Sequence, residues 1–140
     1  MLFRSRIAFS ILISNTDDHL RNHGFLRTST AGWFLSPAFD LNPDPTPGPK
    51  SLSTLIDFDT ATARLEVLMG VAEHFRLNGD EARNALREVA AATKAWRDTA
   101  REVGLDGAEV DRMEPAFEHE QAGAARDISR SSAGDRIRRR

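Results

Sequence analysis

Residues 42–50, NPDPTPGPK, carry four prolines and a glycine in nine positions. Each proline removes a backbone donor and fixes one dihedral, so neither a helix nor a sheet strand persists through such a run. The segment must be an extended loop. It divides the chain into a front end of about forty residues and a longer helical back end, and everything that follows has to respect that division.

The front end changes character quickly. Residues 2 to 13 read as a helix with Phe3, Ile7, Ser10 and Ile11 along one stripe. Apolar residues begin at position 2 with no N-cap before them, a pattern expected of a helix whose upstream sequence is missing. The opening MLFRSRIAFSILISN superficially suits an export signal, but its apolar stretch is short and runs into NTDD without a small-residue cleavage site. Phe25, Leu26, Trp33, Phe34 and Leu35 favour two short strands joined through STAG as a hairpin, and Pro37 ends the second.

Beyond the proline loop the pattern is helical. Asp59 or Thr60 is the expected cap of a helix burying Ala61, Leu65, Leu68, Ala72 and Phe75, closed by Asn78 and Gly79. Asp80 is expected to cap a six-turn helix with a face of Ala82, Leu86, Val89, Thr93, Trp96, Ala100 and Val103, ending at Gly104. A short helix near residues 108 to 113 should stop before Pro115. Trp33 and Trp96 read as core anchors, and His74 and His119 as packing or surface residues. The fold class is therefore α+β, mostly α.

Composition excludes several functions. With no cysteine there are no disulfides or thiolate metal sites, and a cytoplasmic location fits. No apolar run is long enough to span a membrane. Formal net charge is −2 at pH 7. Residues 130–140 hold five arginines and one aspartate, a local +4, which leaves −6 on the remainder. Residues 119–140 read as a disordered basic tail. A DNA-associated role through those arginines is the weakest reading, and direct nucleic-acid binding is not expected.

The stretch SNTDDHLRNHGF, residues 14 to 25, concentrates the chemistry. A hairpin brings its open ends to about 5 Å, so Asn22 at the entrance and Asp40 after the exit are neighbours despite their separation in sequence. With Asp17 close by, two carboxylates and an amide can face one point. Such hard oxygen donors suit Mg²⁺ carrying a phosphate substrate. Asparagine five residues after a loop aspartate, followed by an acid beyond a strand pair, is also the spacing of a phosphoryl-transfer site. Two plainer readings stand beside this one. Asp17 and Asp18 could simply bond backbone N–H groups in Asx-turns, and His19 and His23 could bind zinc if they lay on a helix, which Gly24 argues against.

NTDDHLRNHGFL followed by GWFLSPAFDLNP resembles the catalytic loop and metal-binding segment of HipA-type serine/threonine kinases, the toxin halves of bacterial toxin–antitoxin pairs. The order of Asp17, His19 and Asn22 is also similar to that of phosphoinositide lipid kinases. The HipA resemblance continues through LSTLIDFDTATARLEVLMGVAEHFRL to about residue 118. It implies a kinase C-lobe-like helical cluster with the hairpin beside the catalytic loop. It further implies Asp17 as catalytic base, His19 as a supporting loop residue, and Asn22 and Asp40 as ligands of Mg²⁺ that binds ATP. The implied partners are a protein substrate, a HipB-like antitoxin and a separately encoded N-terminal lobe. Such kinases clamp ATP with an N-terminal lobe bearing a phosphate loop and a lysine. Here the only lysines, Lys50 and Lys94, both follow Asp40, so that lobe is expected to be missing and the chain inactive alone. The contrasting expectation is a non-catalytic interaction module.

Overall fold

The segment that becomes the first helix is apolar around most of its circumference, which marks a helix enclosed by others rather than lying on a surface. In the computed structural model, which describes the backbone of residues 3–134 and the side chains of 5–128, α1 spans Phe3–Leu12. Ile7, Ala8, Ile11 and Leu12 are buried, as are Arg6 and Ser10. The buried surface is thus wider than the expected stripe; the side chain of Phe3 lies outside the described residues.

Around α1 the chain builds a short turn of 3-10 helix, Leu20–Asn22, then β1, Phe25–Ser29, and β2, Gly32–Leu35. The strands pair antiparallel, Phe25 opposite Leu35 and Leu26 opposite Phe34, with an irregularity before Ser29 meets Gly32. The proline loop follows without regular structure. Next come α2, Leu65–Gly70, a 3-10 turn at Ala72–Phe75, α3, Gly79–Lys94, α4, Trp96–Glu102, α5, Gly107–Phe117, and α6, Glu120–Gly134. The hairpin and helices make an α+β, mostly α fold. Its core joins α1 to Leu52, Ile56, Leu65, Leu68, Leu86, Val89 and Ala125.

A staple organises the proline loop. The Lys50 ammonium donates to Asp44 Oδ2 at 2.6 Å and to the Thr46 carbonyl at 2.6 Å. That ammonium, with the Thr46 groups, holds the Asp44 carboxyl down at about 2. Its folded pKa lies below the ordinary 3.8. The staple's contribution is therefore complete above about pH 4 and is lost as pH falls toward 2. Thermal unfolding from pH 6 to pH 2 should show Lys50→Met less stable than the parent at pH 6, with the difference shrinking toward the acid end. A gap constant across the range would show that the Asp44 carboxylate does not carry the staple's contribution.

Helix boundaries depart from the sequence expectations for identifiable reasons. Asp59 and Thr60 do not cap a helix: their N–H groups both bond Asp57 Oδ1, at 2.9 and 2.6 Å. The chain then pairs back on itself, Leu52 N–H to the Ala61 carbonyl and Ala63 N–H to that of Lys50. So α2 begins only at Leu65, whose N–H is taken by Gln121 Oε1 of α6 at 2.8 Å. Asn78 does not close this segment. Arg76 does so with a left-handed backbone, and Asn78 instead caps α3, accepting the N–H groups of Asp80 and Glu81 while Glu81 answers to its own N–H. Asp80 is therefore not the cap. Asn78→Ala should cost about 1 kcal/mol, and Asp80→Ala less than half of that, in chemical denaturation; equal losses would refute the assignment.

The long helix is two helices. The Thr93 hydroxyl bonds back to the carbonyls of Val89 and Ala90, a contact that bends helices, and the chain breaks at Ala95. Trp96 then stacks on Phe117, with centroids 4.5 Å apart and planes 6° from parallel. Arg97 packs over the Trp96 ring and bonds Glu114 and Glu118. Nor does α5 stop before Pro115. Proline forfeits one backbone bond, but Val110 and Ala116 are buried on either side of it and hold the helix together. Finally, residues 120–134 are not a disordered tail. Ala122, Ala125 and Ile128 of α6 pack against the core. The arginines at 136 and 138–140 lie outside the described residues.

Candidate functional site

Three short elements meet where α1 ends. Ser14 turns the chain with a φ of 54°, and Thr16 is held by Ser53, whose N–H and hydroxyl both bond its carbonyl at 3.0 Å. Thr54 donates its hydroxyl to the Asp18 carbonyl. The 3-10 turn then carries the chain from His19 to Asn22, with Asn22 N–H bonded to the His19 carbonyl at 2.9 Å. Gly24 closes the neck of the hairpin: its carbonyl accepts Ser36 N–H at 2.8 Å. A Cβ on Gly24 would stand 3.0 Å from the Ser36 hydroxyl oxygen, so the close approach of the two hairpin legs needs glycine there. Arg6 of α1 donates to the Ser36 carbonyl from the other side.

That neck sets the geometry at the hairpin mouth. Buried Asn22 donates its Nδ2 to Asp40 Oδ2, joining residues on opposite legs. Its Oδ1 accepts the His19 N–H at 3.3 Å. Asp40 is exposed and takes Asn42 Nδ2 on its other oxygen at 2.7 Å. It adopts φ 55°, a left-handed conformation that aspartate tolerates better than most side chains but that still costs energy. The backbone is thus bent to present this carboxylate at the mouth.

Asp17 stands apart. It is exposed, and among the described residues no hydrogen bond joins it to Asn22 or Asp40. Asp18 is the reverse: it is buried, accepts the Ser10 hydroxyl on Oδ2 at 2.9 Å, and meets His23 Nε2 on Oδ1 at 2.9 Å. The sequence singles out the exposed carboxylate of the pair and misses the buried one, because adjacent aspartates look alike until burial separates them. His19 is half-buried and contributes its N–H to Asn22. With His23 engaged by Asp18, and with no group of three or more His, Cys, Asp or Glu side chains placed for a metal among the described residues, zinc has no ligand set here.

Large apolar side chains lie exposed along the hairpin and in the segments that flank it. Leu20, Phe25, Leu26, Phe34 and Phe39 are exposed, and Trp33, expected in the core, is 66% exposed. A two-stranded ribbon has no second layer to bury its faces, so the hairpin's aromatics stand in solvent. Between His19 and Phe39 the charged side chains are Arg21 and Arg27, with no carboxylate.

A helical cluster fronted by a β-ribbon, with an amide and a carboxylate bonded across the ribbon's mouth, defines a class of domain that carries a polar site on a helical scaffold. The family model of the HipA-like C-terminal domain matches residues 2–96, from α1 into α4. The chain belongs to the HipA-like C-terminal domain family. No curated protein and no solved structure matches it. Among the described residues no helix is long and apolar enough to cross a membrane.

Proposed function

We propose that this chain supplies the catalytic-loop side of a HipA-type serine/threonine kinase, transferring the γ-phosphate of ATP to a protein hydroxyl in the cytoplasm. The observation that carries the reading is the Asn22–Asp40 contact across the hairpin mouth, with an exposed carboxylate, Asp17, at the start of the same loop. The donors fit Mg²⁺: an exposed carboxylate and an amide oxygen are hard ligands, and such sites commonly take only one or two protein oxygens beside water and phosphate. Bound there, Mg²⁺ would neutralise charge on the phosphates.

The chain's own residues do the rest. Asn22 Oδ1 and the Asp40 carboxylate would hold the ion. An amide oxygen has two lone pairs, so Oδ1 could ligate while still accepting the His19 N–H, and Asp40 Oδ2 accepts Asn22 Nδ2 in the structure. His19 acts as a support for Asn22. Asp17, exposed and with no hydrogen-bond partner among the described residues, can accept the proton of an attacking serine or threonine hydroxyl as base. Lys50 is committed to Asp44 and Thr46, and a separately encoded N-terminal lobe is the proposed source of the lysine that clamps ATP.

A second reading rests on the exposed aromatics of the hairpin. Apolar clusters of this kind mark protein contact, and an interaction module binding a HipB-like antitoxin would use them without any chemistry. Radiolabelled ATP separates the two. The chain alone should give negligible transfer, and mixing it with an N-terminal half that bears a phosphate loop and lysine should restore transfer. Complex formation without any transfer would favour the module, and strong transfer from the chain alone would refute the need for the second half.

A further inference from the structure

Asp17 and Asn22 each sit one residue from a member of the same buried aspartate–histidine contact. Asp18 follows Asp17, His23 follows Asn22, and the two meet at 2.9 Å with side chains only 4% and 7% exposed. We propose that Asp18 and His23 form a latch that fixes the spacing between the base and the metal ligand, and that both are positioning residues. The proposal rests on the kinase-site reading above.

The anchoring has a direction. Asp18 is tied to the scaffold twice, by the Ser10 hydroxyl of α1 at 2.9 Å and by Thr54, which donates to its carbonyl. Ser10 is wholly buried and also accepts Asn15 Nδ2 at 3.4 Å. The scaffold therefore fixes Asp18, and Asp18 fixes His23. Between them lie only residues 19–22, whose sole regular structure is a three-residue 3-10 turn. The span has bonds of its own, Asn22 N–H to the His19 carbonyl and His23 N–H to that of Leu20, and the buried pair closes it from end to end and ties it to α1. Asn22 is at one end of that span, and Asp17 is just outside the other. Displacing a reacting group by about 1 Å can cost about a hundredfold in rate, so a rigid brace behind these two positions matters more than its contribution to folding.

A purely structural pair would stabilise the loop without setting the site, and the two roles separate with Mn²⁺ as a spectroscopic stand-in for Mg²⁺ on the intact chain. Water-proton relaxation titrations would compare the parent with His23→Leu, which removes the donor, His23→Gln, which keeps one at similar reach, and Asp18→Leu. If the latch sets the site, His23→Leu and Asp18→Leu weaken Mn²⁺ binding on the order of 10–100-fold, the double variant is no worse than the poorer single one, and His23→Gln recovers most of the loss. Thermal unfolding of each variant confirms that folded protein is being titrated. Should Asp18→Leu not fold, the two His23 variants carry the comparison. Affinity unchanged in His23→Leu, alongside a lowered melting temperature, overturns the latch and leaves the kinase-site reading standing. No Mn²⁺ binding by the parent, or binding indifferent to Asp40→Asn, overturns that reading and the latch with it.

Discussion

Asp17→Asn is expected to lower phosphoryl transfer by the restored two-part enzyme on the order of 10²–10⁴-fold, the range for losing a general base. The same change should leave the fold alone. Asp17 is exposed and bonds nothing among the described residues, so its unfolding free energy should shift by less than about 0.5 kcal/mol. Asp18→Asn offers the contrast from the next position. Its carboxylate is buried against Ser10 and His23, and replacing it should lower stability by several times that amount. Paired measurements of initial rate and denaturation midpoint on the two variants check both statements. An Asp17→Asn enzyme retaining more than a tenth of parental activity would remove Asp17 from the chemistry.

The Asn22–Asp40 contact of the candidate site was legible in the sequence because its determinants are local. The STAG turn, the aromatic strands and Pro37 fix a hairpin, and a hairpin forces its legs together, so Asn22 and Asp40 could be paired from sequence alone and are bonded in the structure. Roles that depend on burial were not legible. Nothing in NTDD says which aspartate faces inward, and Ser10 looks like a filler on an apolar stripe until Asp18 is found against it. Trp33 misled for a related reason: composition places tryptophan inside, but a two-stranded ribbon has nowhere inside to put it.

Helix ends show the same limit. Asp59, Thr60 and Asp80 are good caps by residue type, yet the caps are decided by which backbone groups are left over. Asp57 takes the N–H groups of Asp59 and Thr60, and Leu65 is served by Gln121 from a helix 56 positions away. No local pattern contains that partner. The break at Ala95 was foreshadowed only by Thr93, whose hydroxyl competes for helix carbonyls.

Ala125→Glu is the sharpest test of the last helix. The segment QAGAARDISRSSAG is rich in small and polar residues and lacks the leucine or phenylalanine that makes an amphipathic face conspicuous, which is why it reads as a tail. Its apolar positions, Ala122, Ala125 and Ile128, nonetheless recur at steps of three and line one side of α6. Ala125 is 1% exposed and belongs to the core cluster with residues of α1, α2 and α3. A glutamate there would add volume to a filled site, worth about 1–3 kcal/mol, and would carry a carboxylate out of water, which costs more unless it protonates. The expected loss is about 4 kcal/mol, enough to lower the melting temperature by roughly 10 °C in a chain of this size. Ala125→Ser, which changes little volume, should lose far less. A disordered segment would accept the glutamate without effect, so an unchanged melting temperature would detach α6 from the core. The loss should also shrink at low pH, where the buried carboxyl takes up its proton, and that recovery would identify desolvation rather than overpacking as the larger cost.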